Sequence, residues 1–179
     1  KIIIMICYFK LLIVVGIFAI VATMAIDIFL TTNQTAKKSV ASQQVQGAMR
    51  FAIENIVREI HQGTIDYSYN PSADTEYLYL RDPSGQAVRF RKNVSTLEIN
   101  RGETVDWQPL LSNEVNVVSA NFYVAPLQDP FAPAGTIPEP PNIQPRVTFT
   151  ISAQPANTLM AGAKPFFIQT TVVSRTYKR

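Results

Sequence analysis

LLIVVGIFAIVATMAIDIFL, residues Leu11 to Leu30, is the stretch whose reading decides the fold. Sixteen residues pass without a charge before Asp27, and three apolar residues follow it. Thr23 does not break the run, because a helical threonine returns its hydroxyl proton to a carbonyl one turn back. As a helix, twenty residues rise about 1.5 Å each and span about 30 Å, the thickness of a bilayer's hydrocarbon core. A soluble domain rarely spends such a run on one helix. The segment is therefore expected in lipid, in a bundle of like helices, or in each at different times.

Outward from that stretch the composition changes. The chain has 179 residues, enough for one ordinary domain and an appended segment. Hydrophobic residues make up 47%, but they crowd into the first thirty positions, and from Thr31 the chain reads as water-soluble. Net charge is +3 and the basic residues are scattered, too mild a balance to support nucleic acid or an acidic membrane surface. Cys7 is the only cysteine, which excludes an intramolecular disulfide and reads as a small hydrophobe in an apolar run. The opening is read as an uncut anchor, because the apolar run outlasts a signal-peptide core and no small-x-small site ends it. Lys10 interrupts the apolar opening and is expected to snorkel to a headgroup boundary or to meet a partner carboxylate. Asp27, at the far end, lies at the membrane interface or pairs with a neighbouring subunit's cation.

The helical period continues past Thr31. Val45, Met49, Ala52, Ile53, Ile56, Val57 and Ile60 recur at three- and four-residue steps and make one apolar stripe. Lys37, Lys38, Gln43, Gln44, Arg50, Glu54, Asn55, Arg58 and Glu59 fall largely off it, and Glu54 and Arg58 stand four apart in the favourable order. Gly63 is a good C-terminal stop, and no proline occurs between Lys1 and Tyr69. One helix to about Gln62 follows, roughly fifty residues and about 75 Å from the start of the apolar run. Its second half has one apolar face that must lie on something.

What it lies on is a run of strands. Glu76 to Arg81 and Gln86 to Lys92 flank Asp82-Pro83-Ser84-Gly85, whose second-place proline and fourth-place glycine suit a type I turn. Val94 to Asn100, Glu103 to Trp107, Val115 to Ala125, Arg146 to Ala153 and Phe166 to Tyr177 complete the set. Short connections imply one antiparallel meander with a face on the helix, an α+β fold. The expected organisation is an apolar helix over 1–30, its amphipathic continuation over 31–63, and an antiparallel sheet domain over 64–179. Within the last, residues 126–145 hold seven of the twelve prolines and read as a solvated connector of polyproline character. Residues 154–165 read as a small-residue loop.

Little in the sequence points to catalysis. His61 is the only histidine, read as a surface or C-terminal capping residue, and the carboxylates form no close acid–base pair. There is no glycine-framed nucleophile and no phosphate-binding glycine loop. No enzyme activity, metal or cofactor is expected. Asn33-Gln34-Thr35 and Asn93-Val94-Ser95 match glycosylation acceptors. Tyr77, Tyr79, Phe90 and Trp107 could form an exposed platform for a sugar or single-stranded nucleic acid, though core or cross-strand packing accounts for at least half of them.

The order of parts resembles type IV pilins and the pseudopilins of type II secretion and related systems. At residue level the resemblance is densest over Leu11 to Ala22 and in the ending FFIQTTVVSRTYKR. In the family's register the helix would open Ile6-Cys7-Tyr8-Phe9-Lys10, with Met5 at the leader's terminal glycine and Lys10 where the family carries a glutamate. That glutamate pairs with a neighbour's N-terminal amine, which a lysine cannot do. A divergent or tip-located minor member, a different leader processing, or an altered opening segment would each account for the departure. The absent C-terminal disulfide leans toward a pseudopilin-like or simpler pilin.

The resemblance implies a structural subunit of a pilus-like or secretion-like filament. Such a subunit is held by its N-terminal helix as a single pass in the cytoplasmic membrane and later sits in an extracellular filament. Its partners would be copies of itself, related minor subunits, inner-membrane lipid before assembly, and an assembly platform with its ATPase. Leu11, Leu12, Val15, Gly16, Phe18, Ala19, Ala22 and Ala25 are the expected helix-packing residues, with glycine and alanines allowing close approach. Lys10 and Asp27 are the candidate inter-subunit charges. The alternative is a membrane-tethered extracytoplasmic binding module for a sugar, protein or DNA ligand that does not polymerise.

Overall fold

The computed structural model describes residues 2–69, 75–102, 106–132, 143–156 and 164–174. A single helix, α1 (Ile2–Gln62), precedes eight strands: β1 (Thr64–Ile65), β2 (Tyr77–Arg81), β3 (Ala87–Asn93), β4 (Thr96–Arg101), β5 (Trp107–Pro109), β6 (Val115–Ala125), β7 (Arg146–Pro155) and β8 (Phe166–Val173). The fold is α+β, a long N-terminal helix packed on antiparallel sheets, as the residue pattern indicates. Two compact units, Lys1–Ala41 and Ser42–Arg179, divide inside α1. The boundary falls where the buried stripe is about to begin, and not at 30/31 or 63/64 where composition changes.

In the first unit every large apolar side chain from Leu11 to Leu30 is exposed. Three threonines of the helix bond back to its own backbone: Thr23 donates to the Ile20 carbonyl at 2.8 Å, Thr31 to Asp27 at 2.8 Å and Thr35 to Thr31 at 2.9 Å. Such bonds spare those hydroxyls the need for solvent.

In the second unit, Val45, Met49, Ala52, Ile56 and Ile60 are buried and Ile53 and Val57 partly so, in agreement with the stripe. They pack with Leu78, Leu80, Val88, Phe90, Leu97 and Ile99 from one sheet and Val117, Phe122, Val147, Phe149 and Ile151 from another in one core. Two details on the helix differ from expectation. Asn55 is buried, donating to the Phe51 carbonyl at 2.8 Å and accepting from Arg58. Arg58 is thereby drawn from Glu54, which instead meets Arg50 at 3.8 Å.

Gly63 ends the helix for a reason other than handedness. Its φ is not positive; an added Cβ would stand 2.5 Å from the Arg81 carbonyl oxygen and 2.9 Å from that of Glu59. Close backbone approach, where β1 begins its pairing with β2 (Thr64↔Arg81), requires the missing side chain. His61 makes no capping bond among the described residues, and its Nδ1 is buried without a partner there.

The strands form two sheets, not one meander: β1-β2-β3-β4-β5 and β6-β7-β8, antiparallel throughout. The first sheet stops at β5 because that strand is three residues long and ends on Pro109, which has no N–H to extend a ladder. The chain then turns, with Val115 N–H donating to the Ser112 carbonyl at 3.1 Å. β6 crosses the ends of β2, β3 and β4, where Val117 donates to Ser95 at 2.7 Å and Phe122 to Thr75 at 2.7 Å. A bulge between Val117 and Ser119 interrupts its register with β7.

The Asp82–Gly85 hairpin forms as read, with Gly85 donating to the Asp82 carbonyl at 2.9 Å and adopting φ +85°. The next hairpin differs. Val94, read as the first residue of a strand, is instead in the turn between Asn93 and Thr96, at φ +49° and 85% exposed. The strand starts two residues later because Asn93 and Thr96 already pair. The strand expected over 103–107 is seen only from Trp107, residues 103–105 lying outside the described residues. So do 133–142 of the proline-rich segment, 157–163 of the small-residue loop and 175–179 beyond β8. At the described end of the proline-rich segment, the Pro145 carbonyl accepts from Ser174 at 2.9 Å, which ties that connector to the end of β8.

Candidate functional site

The residues singled out for assembly all lie on α1. At about 100° per residue, Leu11, Val15, Phe18, Ala22 and Ala25 share one stripe about 80° wide, and Leu12, Gly16 and Ala19 form a second beside it. The small residues therefore do not make one seam: Gly16 and Ala19 belong to one stripe, Ala22 and Ala25 to the other. Leu11, Leu12, Val15 and Phe18 are between 57% and 72% exposed, and an added Cβ at Gly16 meets nothing within 4 Å. Lys10 and Asp27 are seventeen positions apart, about 25 Å along a helix, and do not meet. Neither has an ion pair among the described residues.

Fourteen large apolar side chains between Leu11 and Leu30 are exposed. At about 1.5–3 kcal/mol for burying each, leaving them in water would cost about 20–40 kcal/mol. The helix is long and apolar enough to cross a membrane.

The second candidate surface is the outer face of the five-stranded sheet. Strand alternation sends Leu78, Leu80, Val88 and Phe90 into the core and leaves two cross-strand rows outside. One row runs Tyr77, Arg91, Glu98, Pro109; the other runs Tyr79, Arg89, Asn100, Trp107, where Asn100 is buried and donates to the Asp106 carbonyl at 2.9 Å. Tyr77, Tyr79 and Trp107 thus share the face expected of a platform, whereas Phe90 is 0% exposed and is corrected to a core residue. Its neighbours decide this: Phe90 is two positions from Val88, so both point inward.

Three residues that the sequence reading passed over complete the face. Tyr69 stacks on Tyr79 with centroids 4.2 Å apart and planes 7° off parallel, and Tyr79 and Tyr77 lie 5.8 Å apart. Arg91 lies 3.9 Å from the Trp107 ring centroid and 2.9 Å from Glu98. Desolvation works against its charge, but hydrogen bonds from Arg91 to Glu98 and Tyr77 outweigh it and hold the guanidinium above its ordinary value. Arg89 lies 5.6 Å from the Tyr69 centroid and donates to its hydroxyl at 3.4 Å. The alternation of Arg89 and Arg91 with Val88 and Phe90 was a usable signal; Tyr69, in a loop, gave none.

Beside this face is a cleft of about 430 Å³ lined in part by Tyr69, Arg81, Ser84, Gln86 and Arg89. At its rim the Ser84 hydroxyl, followed by backbone N–H groups of Gln86, Ser84 and Gly85, holds the Asp82 carboxyl below the usual carboxylate range against a smaller opposing effect of desolvation. A more apolar groove of about 640 Å³, lined by Met49, Ile53, Phe166 and Ile168 among others, runs between α1 and β8. Among the described residues, no group of three or more histidine, cysteine or acidic side chains is placed to hold a metal ion.

No family model, no curated protein and no solved structure matches this chain.

Proposed function

We propose that the chain is a structural subunit of a filament of the type IV pilus or type II secretion kind, stored in the cytoplasmic membrane through α1 and assembled by helix–helix packing. The observation that carries this reading is the division of labour on α1. Residues 45–60 are the inner wall of a folded domain's core, while Leu11 to Leu30 expose apolar side chains on all sides. That second stretch requires lipid or other helices around it. Two adjacent stripes, each with two small residues, suit a helix with neighbours on more than one side, as an open head-to-tail filament demands. Lipid tails and helix bundles both satisfy the apolar surface, so transfer between them is near balanced and needs work from outside, which an assembly ATPase would supply.

The test is Ala22→Arg in the full chain, in cells that carry the assembly machinery. An arginine at this depth opposes both packing and lipid burial by about 3 kcal/mol. Negative-stain microscopy of sheared surface material is expected to show filaments with the native residue and none with arginine. Trp107 fluorescence of the purified variant is expected to match that of the wild type. Filaments of normal abundance from Ala22→Arg would overturn the reading. Removing Lys1 to Leu30 separates it from a tethered, non-polymerising binding module, whose ligand binding would survive as the chain's whole activity.

A further inference from the structure

Arg81, Arg89 and Arg91 alternate along β2 and β3 on the outer face of the five-stranded sheet, and Arg101 of β4 lies on its helix side. Arg81 meets Asp66 at 2.9 Å, Arg91 meets Glu98 at 2.9 Å, and Arg101 meets Glu59 at 2.7 Å. Arg89 meets no carboxylate among the described residues. Its hydrogen bond there is the long one to the Tyr69 hydroxyl, and its Nε is buried without a partner. A half-buried guanidinium left uncompensated among compensated ones marks a place where an external anion completes the pairing.

The surroundings narrow the anion. Arg89 lines the cleft of about 430 Å³, a volume in the range of small-molecule sites. Tyr69, 41% exposed, forms part of the wall and is braced from behind by its stack on Tyr79. The Gln86 side-chain amide and the Ser84 oxygen, whose proton goes to Asp82, supply neutral hydrogen-bonding groups, and no Cβ crowds Gly85 or Gly102. Asp66 also lines the cleft, and its carboxylate disfavours a dianionic phosphate more than a singly charged carboxylate. One guanidinium suits one planar carboxylate. An aromatic wall and neutral donors suit a ring rich in hydroxyls, with its C–H face against the tyrosine.

We infer that this cleft binds an acidic pyranose, a uronic-acid unit of a polysaccharide, with its carboxylate on Arg89 and its ring against Tyr69. The site belongs to the second unit and does not rest on the filament reading, so either can fail without the other. The probe is digalacturonic acid, titrated by calorimetry into the full chain in detergent micelles. Neutral digalactose, acetate, inorganic phosphate and a short oligothymidylate serve as comparison ligands.

Saturable binding of digalacturonate is expected, at least tenfold tighter than digalactose or acetate, and weakened at least tenfold by Arg89→Gln and by Tyr69→Ala. Arg89→Lys is expected to fall between, since an ammonium cannot make the two-pronged contact. Tyr69 is exposed enough that its truncation leaves the fold intact, which keeps the test decisive should Arg89→Gln not fold. Acetate or phosphate binding as tightly as digalacturonate would reduce the cleft to a general anion site and overturn the inference. Tighter binding of the oligothymidylate, or digalacturonate binding unchanged by both substitutions, would overturn it as well.

Discussion

Gly47→Ala within α1 and Gly63→Ala just past its end make the same chemical change and are expected to act with opposite sign. Neither glycine has a positive φ, so alanine is sterically admissible to both backbones. On chain entropy alone both substitutions would stabilise, by up to about 1 kcal/mol. At Gly47 nothing lies within 4 Å of the new Cβ, and that gain should be realised. At Gly63 the Cβ would be 2.5 Å from the Arg81 carbonyl oxygen and 2.9 Å from that of Glu59, both backbone atoms that cannot swing aside. Relief requires moving β1 off β2 or lengthening the 2.8 Å bond from Gly63 N–H to Glu59. Overpacking of that kind costs about 1–3 kcal/mol, and a weakened ladder bond adds about 1 kcal/mol. Net of that entropy gain, Gly63→Ala should therefore lose about 2 kcal/mol while Gly47→Ala gains about 1 kcal/mol. Urea unfolding of the full chain in mild detergent, followed by fluorescence of Trp107, the single tryptophan, reads the second unit directly. With a slope of about 2 kcal/mol/M, the midpoints should move down by about 1 M and up by about 0.5 M. A Gly63→Ala midpoint at or above the wild type would refute the close-approach argument.

Val94 is a β-branched residue held at φ +49° on an exposed turn, so Val94→Asn should stabilise by up to about 1 kcal/mol in the same assay; a lower midpoint would show that the valine makes a contact worth keeping. The Tyr67 hydroxyl is pushed up to about 12, first by burial and then by Asp129. Because the folded chain holds this proton more tightly than the unfolded one, the resulting stability is complete below about pH 10 and is lost as pH rises through about 12. Tyr67→Phe, which also removes a buried hydroxyl with no partner among the described residues, should flatten that alkaline decline; parallel pH profiles would rule it out.

Much of the fold was legible because it rests on periodicity. The three- and four-residue steps from Val45 to Ile60 state which helix face is buried, and the Asp82–Gly85 turn is written in residues with a geometric role. Strands β6 and β7 were found within two residues of their ends because their alternation is long and clean. The break into two sheets was not legible, since it depends on where β6 lands after Pro109 and on bonds such as Phe122 to Thr75 between residues far apart in the chain. Gly63 drew the right boundary for the wrong reason, because a helix-ending glycine looks the same whether it serves handedness or room. Ion pairs were the least legible: local spacing offered Arg58 to Glu54, but a buried Asn55 claimed the arginine. Of the four aromatics offered for a platform or for packing, Tyr77, Tyr79 and Trp107 share the outer face and Phe90 packs in the core, a division that the strand register decides. That Arg89 meets no carboxylate among the described residues is visible only in three dimensions.

Strand β8 closes the three-stranded sheet on one side, and its sequence FFIQTTVV contains no charge and no proline. No described strand covers its outer edge, and Phe167 is 63% exposed on it. Natural edges are usually guarded by lysine, proline or a bulge against adding a stranger's strand. Among the described residues this one is unguarded, so handling the protein at high concentration runs a risk that has nothing to do with its apolar helix. Gln169→Lys, an exposed position in mid-strand, should slow the growth of thioflavin-binding aggregates on storage; an unchanged rate would place the origin of aggregation elsewhere.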